Sequence, residues 1–335
     1  MIFVGGGELP SRFGVVVLGG GHRPSAPTRS QQSYRHEALL WHDATDFTDS
    51  LVPFIDDGLE AHEPVMVAVV PEHLVWLQDA LAHRAEYVDF VDMHELGHNP
   101  ARIIPAWQYF LDRNARQRSP IRGIGEPIWP HRRPEELLEC QFHEALLNVA
   151  IDPEIPFWLI CPYDAEALSP DVLDEAHRSH PVILDSHSYH GSSRYGGRAH
   201  VESIFTAELP ELKVQPTVAV FTRNNVTRIG AYIKLEFHVS GLGVTEASNL
   251  AEVIQRLASS SIHRGATLGT VRIFSQPDDL ICEVVDDTAI DDPLIGRRAP
   301  RTDDDDSLWI ANQVCDLVQV RSSTAGTTVR VRTWR

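Results

Sequence analysis

Basic residues are scarce in this 335-residue sequence, which has 29 Lys and Arg against 47 Asp and Glu and a formal net charge of −18. Proteins that bind nucleic acid through its phosphates need a concentrated basic surface. The sequence contains no helix or tail rich in Lys and Arg. We therefore expect no direct binding to nucleic acid, so any role in transcription would act through a protein partner.

Cysteines and long apolar runs are also scarce. The four cysteines, Cys140, Cys161, Cys282 and Cys315, form no CxxC pair, and we interpret them as reduced core thiols of a cytoplasmic protein. No apolar run approaches the roughly 18 residues that cross a bilayer. The early apolar run 13–18 has no basic residues before it and no cleavage site after it, so we expect neither a membrane segment nor a secretory signal.

The apolar content of 43% is sufficient for two cores of ordinary size. Residues 1–34 are rich in Gly, Ser, Pro and Gln, and we predict a flexible leader. From there to residue 184, helical periodicity alternates with short runs rich in Val and Ile, which indicates a layered α/β domain with a mainly parallel sheet. The predicted helices are 45–60, 72–84, 102–114, 134–150 and 170–180, and the predicted strands are 64–70, 87–91 and 157–161.

A polar stretch, residues 185–214, is predicted to be a linker. Residues 215–335 then show a different pattern, which predicts an α+β two-layer sandwich with helices on one face of an antiparallel sheet. The predicted elements are a strand at 218–221, helices at 223–239 and 244–263, a hairpin of 269–274 and 280–285, a helix passing into a strand over 307–320, and an edge strand at 327–333.

The order of these C-terminal elements, with Asp286-Asp287-Thr288 after the hairpin and Leu308-Trp-Ile-Ala-Asn-Gln-Val before the last strands, resembles the GHKL (Bergerat-type) ATPase domain of RsbW-like anti-sigma-factor serine kinases. In that family, a Glu and an Asn four residues apart share one helix face and serve the attacking group and Mg²⁺. An Asp-x-Gly motif binds adenine, and a glycine-rich loop holds the phosphates.

The resemblance implies that most of these nucleotide-binding residues have changed. Arg256 stands in place of the Glu, Ser260 in place of the Asn, and Thr288 in place of the adenine-site glycine. The acidic run 303–306 replaces the phosphate loop and would repel a triphosphate. We predict no catalytic residue and no cofactor, with ATP and Mg²⁺ disfavoured. The remnants of the nucleotide site are Arg256, Ser260, Asp286, Thr288, Ser307 and Leu308.

Two of these features have other interpretations. Asp286 could instead cap a strand end. The acidic run could be a solvated charge run, or it could recruit a divalent cation or a basic partner surface.

Three N-terminal segments together resemble the MEDS sensory domain of methanogen and methylotroph regulators, over about residues 35–185. They are Arg122-Gly-Ile-Gly-Glu-Pro-Ile-Trp, Glu139-Cys-Gln-Phe-His-Glu-Ala-Leu-Leu-Asn and Cys161-Pro-Tyr-Asp. The resemblance implies detection of a small organic molecule. It also implies a kinship with actinobacterial RsbA-type anti-sigma regulators, in which such a domain is joined to the same kinase-like module.

Two groups of polar residues could bind the sensed molecule. Arg122 and Glu126 bracket two glycines just after a presumed strand, with Trp129 as an apolar wall; the alternative is a structural Arg–Glu pair with Trp129 in the core. Glu139 and His143 share a face of the helix that also carries Glu144, and Cys161 and Asp164 could converge on it. This second group could form a polar pocket or a zinc site, or could be merely packed. The sensory-ligand candidates are Arg122, Glu126, Trp129, Glu139, His143, Cys161 and Asp164, and we predict no metal.

The leading hypothesis is a cytoplasmic signal-responsive regulator that senses a small organic ligand and binds a sigma factor or an anti-sigma antagonist. One alternative is an active protein kinase that phosphorylates such an antagonist. Another is a metal-dependent enzyme built on Glu139, His143 and Cys161. The resemblance to RsbW-like modules also implies a homodimer.

Overall fold

The computed structural model describes residues 33–117, 119–185, 188–300 and 306–335. The predicted leader lies outside the described residues except for Ser33 and Tyr34, and so do residues 303–305 of the acidic run. Within the described ranges, no helix has both the length and the apolar content needed to cross a membrane.

The described residues of the N-terminal region form seven strands and seven α-helices. The strands are β1 (Arg35–Trp41), β2 (Val65–Val69), β3 (Asp89–Asp92), β4 (Ile121–Gly125), β5 (Phe157–Asp164), β6 (Val182–Asp185) and β7 (Ser188–Gly191). The helices are α1 (Ala44–Glu60), α2 (Pro71–Leu81), α3 (Met93–Leu96), α4 (Ile103–Asn114), α5 (Pro134–Ala150), α6 (Pro170–Ser179) and α7 (Gly197–Phe205).

These strands form one sheet in the order β3-β2-β4-β5-β1-β6-β7. Every pairing from β3 to β6 is parallel, and β7 pairs with β6 in the antiparallel sense. The predicted mainly parallel sheet is therefore confirmed. The sequence did not predict β1, although this strand lies inside the sheet between β5 and β6.

Both faces of this sheet are covered. In β5, Trp158 and Ile160 belong to one core cluster together with Phe54 of α1. Leu159 belongs to the other cluster, together with Phe142 of α5. Because successive side chains of a strand point to opposite faces, a continuous apolar run such as β5 is buried between two helical layers.

Local chemistry sets several helix starts. The Asp43 side chain accepts a hydrogen bond of 2.9 Å from the backbone N–H of Asp46 and caps α1, which satisfies one of the free N–H groups of the first turn. Pro71, Pro134 and Pro170 each occupy the first position of a helix, where a missing N–H costs nothing.

The part of the C-terminal region that the structure describes contains five strands and three α-helices. The strands are β8 (Thr217–Phe221), β9 (Gly269–Ser275), β10 (Asp279–Asp286), β11 (Leu317–Ser323) and β12 (Gly326–Trp334). The helices are α8 (Val226–Val239), α9 (Val244–His263) and α10 (Asp306–Val314). All four strand pairings are antiparallel, in the order β11-β12-β10-β9-β8, as the α+β prediction requires.

The prediction that the last strand lies at an edge is wrong. β12 pairs with β10 on one side and with β11 on the other, so β11 forms the edge. The alternating pattern of residues 327–333 identifies a strand, but it contains no information about how many neighbours that strand has.

The two faces of the C-terminal sheet differ in chemistry. One face is apolar and packs on the helices; its residues include Val271, Ile273, Cys282, Val284, Val329 and Val331. The other face carries buried charged and polar side chains, among them Gln319, Arg321, Arg330, Arg332 and Glu283. Several of these bond to the N-terminal region, so α5 lies against the charged face.

The segment predicted to be a linker has regular structure of its own. It contains β7, which extends the N-terminal sheet, and α7, which contacts α5, α6 and β11. Val201 and Phe205 of α7 are buried. The domain boundaries stay predictions, but the chain between the two regions is packed against both of them.

Candidate functional site

One residue of the first candidate group, Glu126, lies at the carboxyl ends of the parallel strands. Glu126 follows β4, is buried, and accepts a hydrogen bond of 3.2 Å from the backbone N–H of Val70. Its other contact is His73 Nδ1 at 2.8 Å. Burial raises the pKa of the Glu126 carboxyl; His73 and the Val70 N–H oppose that rise, and the Asp164 charge adds to it.

Aromatic rings surround His73 at the same end of the sheet. Its ring centroid lies 4.5 Å from that of Trp76, 4.7 Å from that of Phe47 and 5.2 Å from that of Trp41. The buried Trp41 Nε1 has no hydrogen-bond partner within the described part of the chain. Aromatic walls with a few polar groups are typical of sites for small organic molecules, and strand carboxyl ends are where open α/β sheets bind ligands.

Three other candidates from the sequence have structural contacts instead, and the first is Arg122. It was predicted to lie just after a strand, but it lies within β4. There it donates to Glu63 at 2.6 Å and to the Phe54 carbonyl at 2.7 Å. This arginine is 1% exposed. It is paired with Glu63 rather than with Glu126, and it anchors the end of α1 to the sheet.

Trp129 and Asp164 also make local contacts. The Trp129 ring packs against His94, with 4.7 Å between centroids, and below the Arg132 guanidinium at 3.9 Å. Asp164, at the end of β5, accepts hydrogen bonds of 3.0 and 2.9 Å from the backbone N–H groups of Glu166 and Ala167. Its charge adds to the rise in the pKa of Glu126.

A second site lies beneath the helices on the other face of the sheet. His36 of β1, Glu144 of α5, Cys161 of β5 and His180 after α6 place one ligand atom each within 4.8 Å of one another, and all four side chains are buried. We call these four residues the buried cluster. His36 Nε2 lies 3.0 Å from Glu144 Oε2 and 3.4 Å from Cys161 Sγ.

His180 approaches the same carboxylate oxygen. Its Nε2 lies 3.1 Å from Glu144 Oε2, but the approach is poorly angled, and Nε2 has no hydrogen-bond partner in the described ranges. Burial works against ionisation of Glu144, yet the contacts with His180 and His36 outweigh it and hold the pKa of Glu144 far below its usual range. Burial raises the pKa of Cys161, and the neighbouring Glu144 adds to the rise.

Hydrogen bonds behind the two histidines fix their orientation. Asn148 donates its amide hydrogens to backbone carbonyls, including Ser179 O at 2.7 Å, so its Oδ1 faces His36 Nδ1 at 3.2 Å. His180 Nδ1 lies 2.9 Å from the carbonyl of Ala176. Both acceptors require a hydrogen on Nδ1, so both Nε2 atoms point into the buried cluster.

Only Cys161 of the predicted Glu139–His143–Cys161 group belongs to the buried cluster. Glu139 turns away and accepts hydrogen bonds from Arg297 and, at 2.7 Å, from Arg321. His143 is buried, and burial lowers its pKa to about 3. The sequence analysis missed His36 and His180, since neither lies in the three short segments, beginning at Arg122, Glu139 and Cys161, on which the family resemblance was based.

Asp286 and Thr288, two of the predicted nucleotide remnants, contact each other, and Arg264 links Asp286 to a third, Ser260. The Asp286 carboxylate accepts hydrogen bonds of 2.8 Å from Arg264 and from the backbone N–H of Thr288. Arg264 also donates to Ser260 Oγ at 3.0 Å. Arg256 pairs with Glu252 of its own helix at 3.0 Å. The aspartate that would bind adenine therefore already has an ion-pair partner.

The start of α10 is also packed. Ser307 and Leu308 are buried, and Gly296, at φ +72°, lies so close that an added Cβ would meet Leu308 Cβ at 2.7 Å. A cavity of about 150 Å³ adjoins Asp286, with Arg321 in its wall. Pockets for drug-sized ligands are roughly 300–1,000 Å³, so this cavity is too small for a nucleoside triphosphate.

Comparison with known families identifies part of the chain. Residues 35–181 match the family model of MEDS, the methanogen/methylotroph, DcmR sensory domain. The resemblance predicted for the N-terminal region is therefore confirmed, and the match fits a signal-sensing role for that region. No curated protein matches the chain.

Proposed function

We propose that this protein is a signal-responsive regulator whose N-terminal region senses a small organic molecule and whose C-terminal region binds a protein partner. By its resemblance to RsbW-like modules, that partner would be a sigma factor or an anti-sigma antagonist. The observation that carries the proposal is the buried contact of Glu139 in α5 with Arg297 and Arg321, which joins the sensory region to the kinase-like region.

Helix α5 is suited to couple the two regions. It carries Glu139 toward the C-terminal sheet and Glu144 toward the sensory sheet. A ligand can change partner affinity only by favouring one arrangement over another. Because both glutamates lie on one helix of 17 residues, a displacement of α5 at the sensory sheet also displaces the ion pairs with Arg297 and Arg321.

Protein binding is favoured over phosphoryl transfer in the C-terminal region. Phosphoryl transfer needs a metal ligand, an activating carboxylate and donors for the phosphates. Arg264 engages both Ser260 and Asp286, so ATP would have to displace this arginine before it could reach the aspartate. The GHKL resemblance supplies the expected partner class, and the filled site supports an inactive kinase-like module.

The sensed molecule is proposed to bind at the strand ends around Glu126, His73 and Trp41. This end combines aromatic walls with a buried carboxyl and an indole N–H that has no partner among the described residues. A small organic molecule with one hydrogen-bond acceptor would satisfy that N–H.

Two measurements on the full chain test the proposal. Sigma factors and anti-sigma antagonists encoded in the same genome are assayed one at a time by biolayer interferometry, and one of them is expected to bind. Calorimetric titration with Mg·ATP to millimolar concentration is expected to give no binding. Transfer of labelled phosphate to an antagonist would establish the kinase alternative instead. Light scattering on the same sample tests the homodimer.

A further inference from the structure

We infer that His36, Glu144, Cys161 and His180 form a binding site for one Zn²⁺ ion inside the sensory sheet. His36 and Cys161 come from two adjacent strands, Glu144 comes from α5, and His180 directly follows α6. The site is distinct from the strand-end site around Glu126. It does not depend on the proposed partner, so its failure would leave the proposed function standing.

The spacing of the ligand atoms suits a tetrahedral ion. Zinc bonds of about 2.0–2.3 Å place neighbouring ligand atoms roughly 3.3–3.8 Å apart. Three of the six separations are 3.0 Å for His36–Glu144, 3.1 Å for His180–Glu144 and 3.4 Å for Cys161–His36, and all six are within 4.8 Å. Small movements of the side chains would complete the coordination shell.

The hydrogen-bond pattern leaves polar atoms of the buried cluster without partners. With a hydrogen on each Nδ1, both Nε2 atoms point at the same carboxylate oxygen of Glu144, and His180 Nε2 has no hydrogen-bond partner among the described residues. Glu144 Oε1 is likewise buried without a hydrogen-bond partner in the described chain. Buried polar atoms without partners are costly, and a single cation among these atoms would satisfy them together.

The surrounding residues resemble the supports of metal-binding histidines in general. Such histidines usually donate the second ring N–H to a carbonyl or carboxylate, which fixes the tautomer and the ring orientation. Here the Asn148 amide oxygen supports His36, and the Ala176 carbonyl supports His180. Asn148 is itself held by three backbone carbonyls.

The ligand types point to zinc. Two imidazoles, a thiolate and a carboxylate suit this borderline-soft ion. Four protein ligands close the shell, whereas catalytic zinc keeps one position for water or substrate. The site would therefore stabilise or report on the sensory fold rather than hydrolyse a substrate. Binding would require the Cys161 thiol to lose its proton, as zinc-bound thiols do.

The test begins with metal analysis of the full chain, expressed without a His-tag in zinc-supplemented medium and desalted. We expect about one zinc ion per chain in the wild type. The zinc content should fall below about 0.2 per chain in Cys161→Ser and in His180→Gln, because each variant loses one of the four proposed zinc ligands. Cys140→Ser is the matched control: Cys140 is also a buried cysteine but lies outside the cluster, and its variant is expected to keep the zinc.

Circular dichroism shows whether each variant is folded. A second measurement needs no variant: the wild-type chain is loaded with Co²⁺ in place of zinc, and its absorption spectrum is recorded. A thiolate-to-cobalt charge-transfer band is expected for a site that contains Cys161 and would be absent for surface binding. Wild-type protein with no stoichiometric metal and no cobalt band overturns the proposal, and so does a folded Cys161→Ser variant that retains as much zinc as wild type.

Asn148 tests the positioning role. Asn148→Ala is expected to weaken zinc affinity by about 10–100-fold, the usual effect of losing a histidine's outer hydrogen bond. A competing chromophoric chelator measures the change. If the variant is destabilised but binds zinc as tightly as wild type, Asn148 has only a structural role, and its hydrogen bond with His36 does not prepare that histidine for zinc.

Discussion

Glu139 of α5 and Arg321 of β11 form a buried ion pair of 2.7 Å across 182 residues of sequence. A second arginine, Arg297, binds the other carboxylate oxygen. Glu139 is fully buried, and the two arginines are 5% and 7% exposed. The pair therefore connects the sensory region to the charged face of the C-terminal sheet at a place that is almost fully shielded from solvent.

Removal of this carboxylate should destabilise the whole chain. In Glu139→Gln, two arginines stay buried without a counter-charge, and breaking a buried pair costs about 3–5 kcal/mol. Urea unfolding at pH 7 measures the loss. Glu135→Gln is the control on the same helix: its side chain is 35% exposed and lies 3.4 Å from Arg332, so we expect a loss of about 1 kcal/mol or less. If both variants lost the same free energy of unfolding, the buried ion pairs of Glu139 would not have the stabilising role expected of them.

The buried Glu126 predicts a pH dependence of stability. Its pKa is raised in the folded protein, chiefly by burial, so the folded state holds this proton more tightly than the unfolded state. The associated stability is fully present below the usual carboxyl pKa and is lost as pH rises through the folded pKa. Glu126→Gln keeps an acceptor for Val70 and His73 but has no proton to lose.

We therefore expect Glu126→Gln to gain stability relative to wild type as pH rises from 4 to 8. Unfolding in urea across this range measures the difference, and the exposed Glu60→Gln should show no such trend. A wild-type protein that gains stability relative to Glu126→Gln with rising pH would show that the carboxylate, rather than the acid, is the form favoured by folding.

The thiols should react only after unfolding. Burial raises the pKa of Cys140 and of Cys315 to about 12 and raises that of Cys282. Because the thiolate is the reactive form, a pKa near 12 leaves a thiolate fraction on the order of 10⁻⁴ at pH 8. A colorimetric disulfide reagent should show slow reaction in the native protein and rapid reaction of all thiols in denaturant. Rapid native reaction of any of these three would contradict their burial.

Asp286 should contribute to stability and not to nucleotide binding. Asp286→Asn weakens contacts with Arg264 and Thr288, and the loss of a charged hydrogen bond costs about 1.5–3 kcal/mol. Arg264 is 23% exposed, so we expect the lower part of that range. Thermal unfolding with and without millimolar Mg·ATP should give the same midpoint. Asp287→Asn, on the exposed neighbour, is the control.

Much of the local structure was predicted correctly from the sequence. Helical periodicity located α1, α4, α5, α8 and α9 to within a few residues, because spacing along a helix reports which face is buried. Glu126 was predicted to lie after a strand, and it directly follows β4, although its contact with His73 was not predicted.

What the sequence did not reveal are contacts between residues far apart in the chain. The alternation of residues 327–333 determined a strand, but only the pairing with β10 and β11 decided that it is internal. Composition and periodicity likewise determined the two layered regions. The tertiary structure alone decided that Glu139 faces Arg321 and that His36 lies beside His180. Strand order and helix packing determine which distant side chains share one buried space, and no local sequence pattern specifies either of them.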